Sequence, residues 1–428
     1  MTPAARLQTT IELLDVILND DRPADGVMAK YFRDRRFIGG GDRRAVSDSA
    51  WRILRSRAQL TWALGTEHVD GRLLVAADLA RNEKRTTDAI AGSFSGAKNG
   101  PPPLSSNERR MVERAGTRET QIPREAKLEC PAWLLAKFDA AFGAKADEEV
   151  AALNTEAMLD VRANTLKSTR DAVLAGLTAE GLKASAMPIA PQGVRVDGRL
   201  NLATNSSFRD GEFEVQDEGS QICATLADAR PGQAVMDYCA GAGGKTLAVA
   251  AAMQNKGRLI ACDVNTKRLE RSKIRLRRAG VHNATLRVLE EHDKWVKRQA
   301  GVFDRVVVDA PCSGTGAWRR NPDARWRFEP EHLERLKATQ DTLLDQTSAL
   351  VKAGGRLAYI TCSMLPEENT DRVTAFLQRN AAFKPVPVAQ VWADVLPTPC
   401  PTDETFLTLT PARNGTDGFF IAILERAS

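Results

Sequence analysis

"QAVMDYCAGAGGKTLAVAAAMQNKGRLIACDV", residues 233–264, holds two short apolar runs, each closing on an aspartate, with a glycine-rich turn and a segment of helical length between them. Runs of this length read as buried strands, and a strand, turn, helix, strand series implies parallel strands joined by a crossover helix. The pattern continues through "ATLRVLE", "FDRVVVDAP" and "GRLAYITCS", and the closing "GTDGFFIAILERA" adds a further strand. The expected fold is therefore α/β, a Rossmann-like sheet with helices on both faces. Ligands of such open sheets bind at the carboxyl ends of the strands, near the switch in strand order. Asp237, Asp263, Asp309 and Cys362 all fall near predicted carboxyl ends, so this fold gathers them into one cleft.

The turn "CAGAGGKT", Cys239 to Thr246, excludes two familiar ligands. A phosphate loop needs a glycine five residues before Gly244, where Cys239 stands, and the third glycine of a dinucleotide fingerprint falls on Thr246. What remains is a turn whose backbone can approach a ligand closely, followed about twenty residues on by Asp263, a carboxylate able to accept from both ribose hydroxyls. Without a phosphate cradle, adenosine bearing something other than pyrophosphate fits, and S-adenosylmethionine is the candidate. The glycines alone are equally compatible with a tight turn that binds nothing.

A chain of 428 residues exceeds one ordinary hydrophobic core, so two or three domains are expected. Residues 1–90 repeat apolar positions at three and four and read as a small helical domain, with Ile11, Leu14, Ile17 and Leu18 on one face. Residues 91–125 carry "GSFSGAKNGPPPLSSNE" and read as an extended linker. Residues 126–205 read as a small helical and α/β module, with "MLDVRANTLK" and "GVRVDG" as strands, and residues 206–428 as the main α/β domain. No apolar run is long enough to span a membrane, and the amino-terminal residues lack the apolar block of a secretory signal, so a cytoplasmic location is expected. The seven cysteines form no CxxC pair and the four histidines do not cluster beside them, which argues against a structural zinc site.

Two of those cysteines stand in parallel contexts, "DAPCSGTG" (residues 309–316) and "ITCSMLPEEN" (residues 360–369), each just past a predicted strand end. Cytosine C5 is a poor nucleophile, and a thiolate adding to C6 turns the base into an enamine whose C5 attacks a sulfonium methyl. That chemistry needs a deprotonated cysteine, a group at N3 and a means of expelling the thiol, and Cys362, Cys312 and Asp309 are the right residue types. Each cysteine taken singly is more often inert packing than a catalyst.

On "VQDEGSQ", "DYCAGAGGKT", "CDVNTKRLERSK", "DRVVVDAPCSGTGAWRRNPDARW", "YITCSMLPEEN" and "GTDGFFIA", taken in order, the chain resembles the Sun/Nop family of RNA cytosine-5 methyltransferases, in particular the bacterial enzymes with a NusB-like helical domain at the amino terminus. The resemblance implies a class I methyltransferase sheet and S-adenosylmethionine as cofactor. It implies Cys362 as the nucleophile, Cys312 as the residue assisting product release, Asp309 at N3 of the base, and Lys245 between cofactor and Asp309. Cys239, Ala240, Gly241, Ala242, Gly243, Gly244, Lys245, Asp263 and Asp309 are then expected to surround the cofactor, with Glu290 beside the adenine. The family's usual "AAPGGK" is "AGAGGK" here, and the reverse division of labour between the cysteines stays open, because DNA cytosine methyltransferases use the "PC" cysteine as nucleophile.

Small-subunit ribosomal RNA is the expected substrate and a monomer the expected state, with transfer RNA, DNA, or a non-catalytic ribosome-assembly role as the competing readings. The net charge of +5 is modest, but Arg33, Arg35, Arg36, Arg43, Arg44, Arg52, Arg55 and Arg57 crowd one stretch that suits either a nucleic-acid footprint or the solvated face of a helical bundle. "WRRNPDARWR", residues 318–327, offers two tryptophans and four arginines that suit stacking on RNA.

Overall fold

A computed structural model describes residues 1–119, 121–290 and 293–428. It divides into two compact units, one formed by Met1–Thr155 with Trp318–Phe328, the other by Glu156–Ala317 with Glu329–Ser428.

The first unit is helical. Its longest helices, Pro3–Leu18 and Gly40–Arg55, and the helix Gly71–Arg81 bury Leu13, Leu14, Ile53 and Leu74 in one apolar core. The stretch expected as a linker is folded instead. Ser105 and Glu108 form a reciprocal capping box that starts a helix at Ser106–Thr117, and that helix places Val112 and Ala115 in the same core, with Leu104 just before it. Proline richness marked the extended approach to this helix, not a free tether. The arginine-rich stretch is largely spent on structure. Arg52 chelates Asp78, Arg43 donates to the Ile38 carbonyl, and Arg55 donates to the Arg319 carbonyl, while Arg33 and Arg36 are exposed.

The second unit contains two sheets. A four-stranded antiparallel sheet has the order β2-β3-β1-β4, formed by β1 (Leu159–Ala163), β2 (Lys183–Ala186), β3 (Gly193–Asp197) and β4 (Phe213–Val215). The larger sheet comprises β5 (Ala234–Asp237), β6 (Arg258–Asp263), β7 (Ala284–Val288), β8 (Phe303–Asp309), β9 (Val351–Thr361), β10 (Phe383–Val386), β11 (Leu407–Leu409) and β12 (Phe419–Arg426). Its order is β10-β12-β9-β8-β5-β6-β7, with β11 paired to β12. β5 to β9 run parallel and β10 to β12 antiparallel, as expected of a Rossmann-like methyltransferase sheet. Phe303, Tyr359 and Phe420 are fully buried on one face, each such side chain contributing about 1.5–3 kcal/mol by leaving water.

Strand order reverses between β5 and β8, which pair in parallel with Asp237 opposite Val307. Because Asp309 pairs with Ile360 of β9, the register lines up Asp237, Asp309 and the residues just after Thr361 along one sheet edge. The fold thus delivers Asp237 and Asp309 to the topological switch point, with Asp263 one strand away at the end of β6 and Cys362 just past β9.

Candidate active site

After β5 the chain makes its glycine turn. Gly241 and Gly243 both adopt the left-handed backbone, and Gly243 precedes the helix Gly244–Ala252. A side chain at Gly243 would strike the Ser272 hydroxyl, so the turn tolerates no Cβ there. At Gly241 and Gly244 an added Cβ would meet nothing within 4 Å, so the turn faces open space. Asp263, at the end of β6, accepts from the Gly241 N–H at 2.8 Å and the Asn265 N–H at 2.7 Å. A carboxylate has about four acceptor positions, so lone pairs remain for a ribose. Asp237 accepts from the Thr246 hydroxyl at 2.6 Å through Oδ2, while buried Oδ1 has no protein partner. Burial raises the Asp237 carboxyl to about 7, against the Thr246 hydrogen bond, which lowers it. An orphaned acceptor, a turn open to solvent and a carboxylate in register fit a polar nucleoside ligand.

The remaining cofactor candidates fall around this turn with one outlier. Cys239 is half-buried, and burial holds its thiol well above the usual range. Ala240 donates to the Cys262 carbonyl at 2.8 Å, and the Ala242 carbonyl accepts from Arg275 at 2.7 Å, pinning both flanks of the turn. Glu290 is exposed, two residues beyond β7.

Lys245, one residue into the helix, is buried and pairs with Asp309 Oδ2 at 2.8 Å. Burial, the largest single influence, lowers its pKa, but the charge and hydrogen bond of Asp309 together with the nearby Cys223 and Cys362 raise it on balance, so the ammonium form persists. Its Nζ lies 5.1 Å from the centre of the Phe419 ring, a cation–π contact invisible in the sequence. Phe419 is placed there because the residue before it touches the cysteine loop: Gly418 donates to the Gly316 carbonyl at 2.8 Å, and a Cβ on Gly316 would lie 2.2 Å from the Gly418 oxygen.

Cys312 and Cys362, fifty residues apart in sequence, bring their sulfurs to 3.4 Å. The contact with Cys362 and burial together push the Cys312 thiol well above its usual range, and either sulfur can donate to the other. One side chain that the sequence did not single out underlies both loops. Buried Glu368 accepts from the Ser313 backbone N–H and hydroxyl, the Ser363 hydroxyl and the Gln340 amide.

The tryptophan and arginine motif does something else. Trp318 is buried against Phe138 with ring centres 6.2 Å apart, and Arg325 is buried over the Trp318 ring, donating to the carbonyls of Glu129 and Leu153. These side chains serve the helical unit, which corrects their reading as stacking groups for RNA.

The profile of the family described as 16S rRNA methyltransferase RsmB/F matches residues 224–425, and that of its ferredoxin-like domain matches residues 130–203. A Synechocystis sp. protein called probable ribosomal RNA small subunit methyltransferase B is 33% identical over 299 residues, 69% of this chain and 67% of that one. This chain belongs to the RsmB/F family. It is an S-adenosylmethionine-dependent RNA methyltransferase. The ribosomal RNA small subunit methyltransferase B of Photorhabdus laumondii is 27% identical with 97% of both chains covered. A solved structure of a methyltransferase homolog protein from Pyrococcus horikoshii shares the fold, with a TM-score of 0.60 and 24% identity over 72% of this chain and 99% of that one. Among the described residues no helix is long and apolar enough to cross a membrane.

Proposed function

We propose that this enzyme methylates C5 of a cytosine in small-subunit ribosomal RNA through a covalent bond between Cys362 Sγ and C6 of the base. The observation that carries the reading is the pair of sulfurs 3.4 Å apart at the ends of β8 and β9, beside the Lys245–Asp309 ion pair. Two thiols at one point, beside that ion pair and at the strand ends, suit a reaction in which both address the same base. When bound, S-adenosylmethionine would supply an electrophilic methyl group, and the Cys239–Gly244 turn, Asp263 and Glu290 are the residues that would hold it.

We assign Cys362 as the nucleophile on the family resemblance; its sulfur lies 3.4 Å from Cys312 Sγ, and the Lys245 ammonium acts on it electrostatically. Addition to C6 makes C5 electron-rich, and Asp309, held in orientation by Lys245, takes the N3 edge of the base. Once C5 carries the methyl group, loss of its proton to solvent expels the Cys362 thiolate, and the Cys312 S–H stabilises that leaving group. The target cytosine must leave its stack for C5 and C6 to be reached. The four-stranded module helps hold the RNA around it.

The test is methyl transfer from labelled S-adenosylmethionine to small-subunit rRNA by wild type, Cys362→Ala and Cys312→Ala, followed by a denaturing gel for RNA-linked protein. Cys362→Ala should lose at least about 1,000-fold in rate. Cys312→Ala should accumulate an RNA-linked band. An RNA-linked band from Cys362→Ala, with none from Cys312→Ala, reverses the two roles.

A further inference from the structure

Cys312 and Cys362 are each followed immediately by a serine, and the two serines share one acceptor. Ser313 Oγ and Ser363 Oγ each donate to Glu368 Oε2 at 2.5 Å. The other oxygen, Oε1, accepts the Ser313 backbone N–H at 2.8 Å and Gln340 Nε2 at 3.0 Å. Four donors fill the capacity of one carboxylate. Glu368 is fully buried, and its own carbonyl accepts from the Tyr359 hydroxyl at 2.7 Å, so the backbone that carries it is fixed to β9. Gln340 extends the clamp, because its amide also donates to the Pro311 carbonyl at 2.9 Å, one residue before Cys312.

We propose that Glu368 is a positioning residue for the reaction: it clamps the two Cys-Ser dipeptides together so that both thiols meet one base. The proposal rests on the two-cysteine reading above. A buried carboxylate with four protein donors and no place in the cofactor turn or at the sulfurs themselves is costly unless its network is complete, and here the network joins the two segments that carry the thiols. Its negative charge also helps hold Cys312 in the thiol form, the state needed to donate to Cys362.

The clamp separates into predictions about geometry and about turnover. Phenylarsine oxide bonds two sulfurs at once, so its affinity reads the juxtaposition of Cys312 and Cys362 whether or not the protein turns over, with Cys312→Ala as the blank. Glu368→Gln, and independently Ser313→Ala with Ser363→Ala, should each weaken arsenical binding by about tenfold or more. In methyl transfer the same variants should lose about 10- to 100-fold in kcat, with KM for S-adenosylmethionine within about twofold of wild type, and should accumulate RNA-linked protein as Cys312→Ala does. S-adenosylmethionine binding by calorimetry identifies any variant that has failed to fold, and the serine variant keeps Glu368 in place if Glu368→Gln is such a case. Unchanged arsenical affinity in a folded variant overturns the clamp. So does unchanged kcat in an otherwise active enzyme. A wild type that binds the arsenical but transfers no methyl group to RNA overturns the cytosine reading instead, and leaves the arsenical comparison to decide the clamp.

Discussion

Asp309–Ala317 and Trp318–Phe328 are consecutive in the chain, the first carrying an aspartate and a thiol and the second aromatic and cationic side chains, and they are put to opposite uses. The first stretch lies in the α/β unit and leaves Cys312 and Asp309 partly open, with Asp309 retaining 35% side-chain exposure beside its lysine. The second folds with the helical unit and buries its chemistry, leaving Trp318 and Arg325 each 1% exposed. Asp323 accepts the Ala24 N–H at 3.0 Å at the start of a helix, and Arg325 satisfies two backbone carbonyls that would otherwise be buried without donors. Residue type therefore does not separate a reactive segment from a structural one. What separates them is exposure: Asp309 and Cys312 keep an open side, whereas Trp318 and Arg325 are closed off within the helical unit.

That contrast is broken most directly at Lys245 and Arg325. Lys245→Met removes the cation from Asp309 and from the face of Phe419 without changing side-chain length greatly, and should lower methyl transfer by about 100-fold or more. Full activity in Lys245→Met would show that the ion pair is packing only. Arg325→Leu should instead destabilise the helical unit by about 2–4 kcal/mol, because it orphans the Glu129 and Leu153 carbonyls. Chemical denaturation followed by tryptophan fluorescence measures it. An unchanged denaturation curve together with weaker RNA binding would restore the nucleic-acid reading of the motif and erase the contrast.

The sequence made the centre of the sheet legible because β5, β6, β8 and β9 are apolar and buried toward their carboxyl ends, and a run that ends on Asp, or just before Cys, marks its own carboxyl end. The edges were less legible. β2 is mostly exposed, and β10 and β11 are short, so neither alternation nor a continuous apolar run announces them. Asp263 could be placed because it answers to one nearby turn, whose Gly241 N–H it accepts, and Lys245 only through the family resemblance, since its partners Asp309 and Phe419 lie far along the chain. Glu368 could not, since its meaning depends on Ser313, fifty-five residues earlier, and on a helix that supplies Gln340. The same holds for Arg325, whose acceptors lie 196 and 172 residues away along the chain. Local periodicity carries no trace of such partners.

The smallest effect sharpens the structural half of the contrast, at the carboxyl group next to Arg325. Glu129 is buried and accepts the backbone N–H groups of Ala58 and Gln59 at 2.8 and 2.9 Å, so it caps the helix Arg57–Leu64 from outside that helix. Burial raises its pKa from 4.5 to about 8, against the two N–H donors and the charges of Arg325 and Arg57, which lower it. The folded chain therefore binds a proton between about pH 4.5 and 8 that the unfolded chain releases, and the sign follows: this contribution is complete at low pH and is lost as pH rises through 8. Glu129→Gln keeps an acceptor for the helix end and removes the titration. Between pH 5.5 and 8.5 the wild-type melting temperature should fall relative to that of Glu129→Gln by on the order of a few degrees. Parallel pH profiles would mean that Arg325 and the helix end hold Glu129 ionised throughout, making the buried end of the 318–328 segment a charge pair and not a protonated cap.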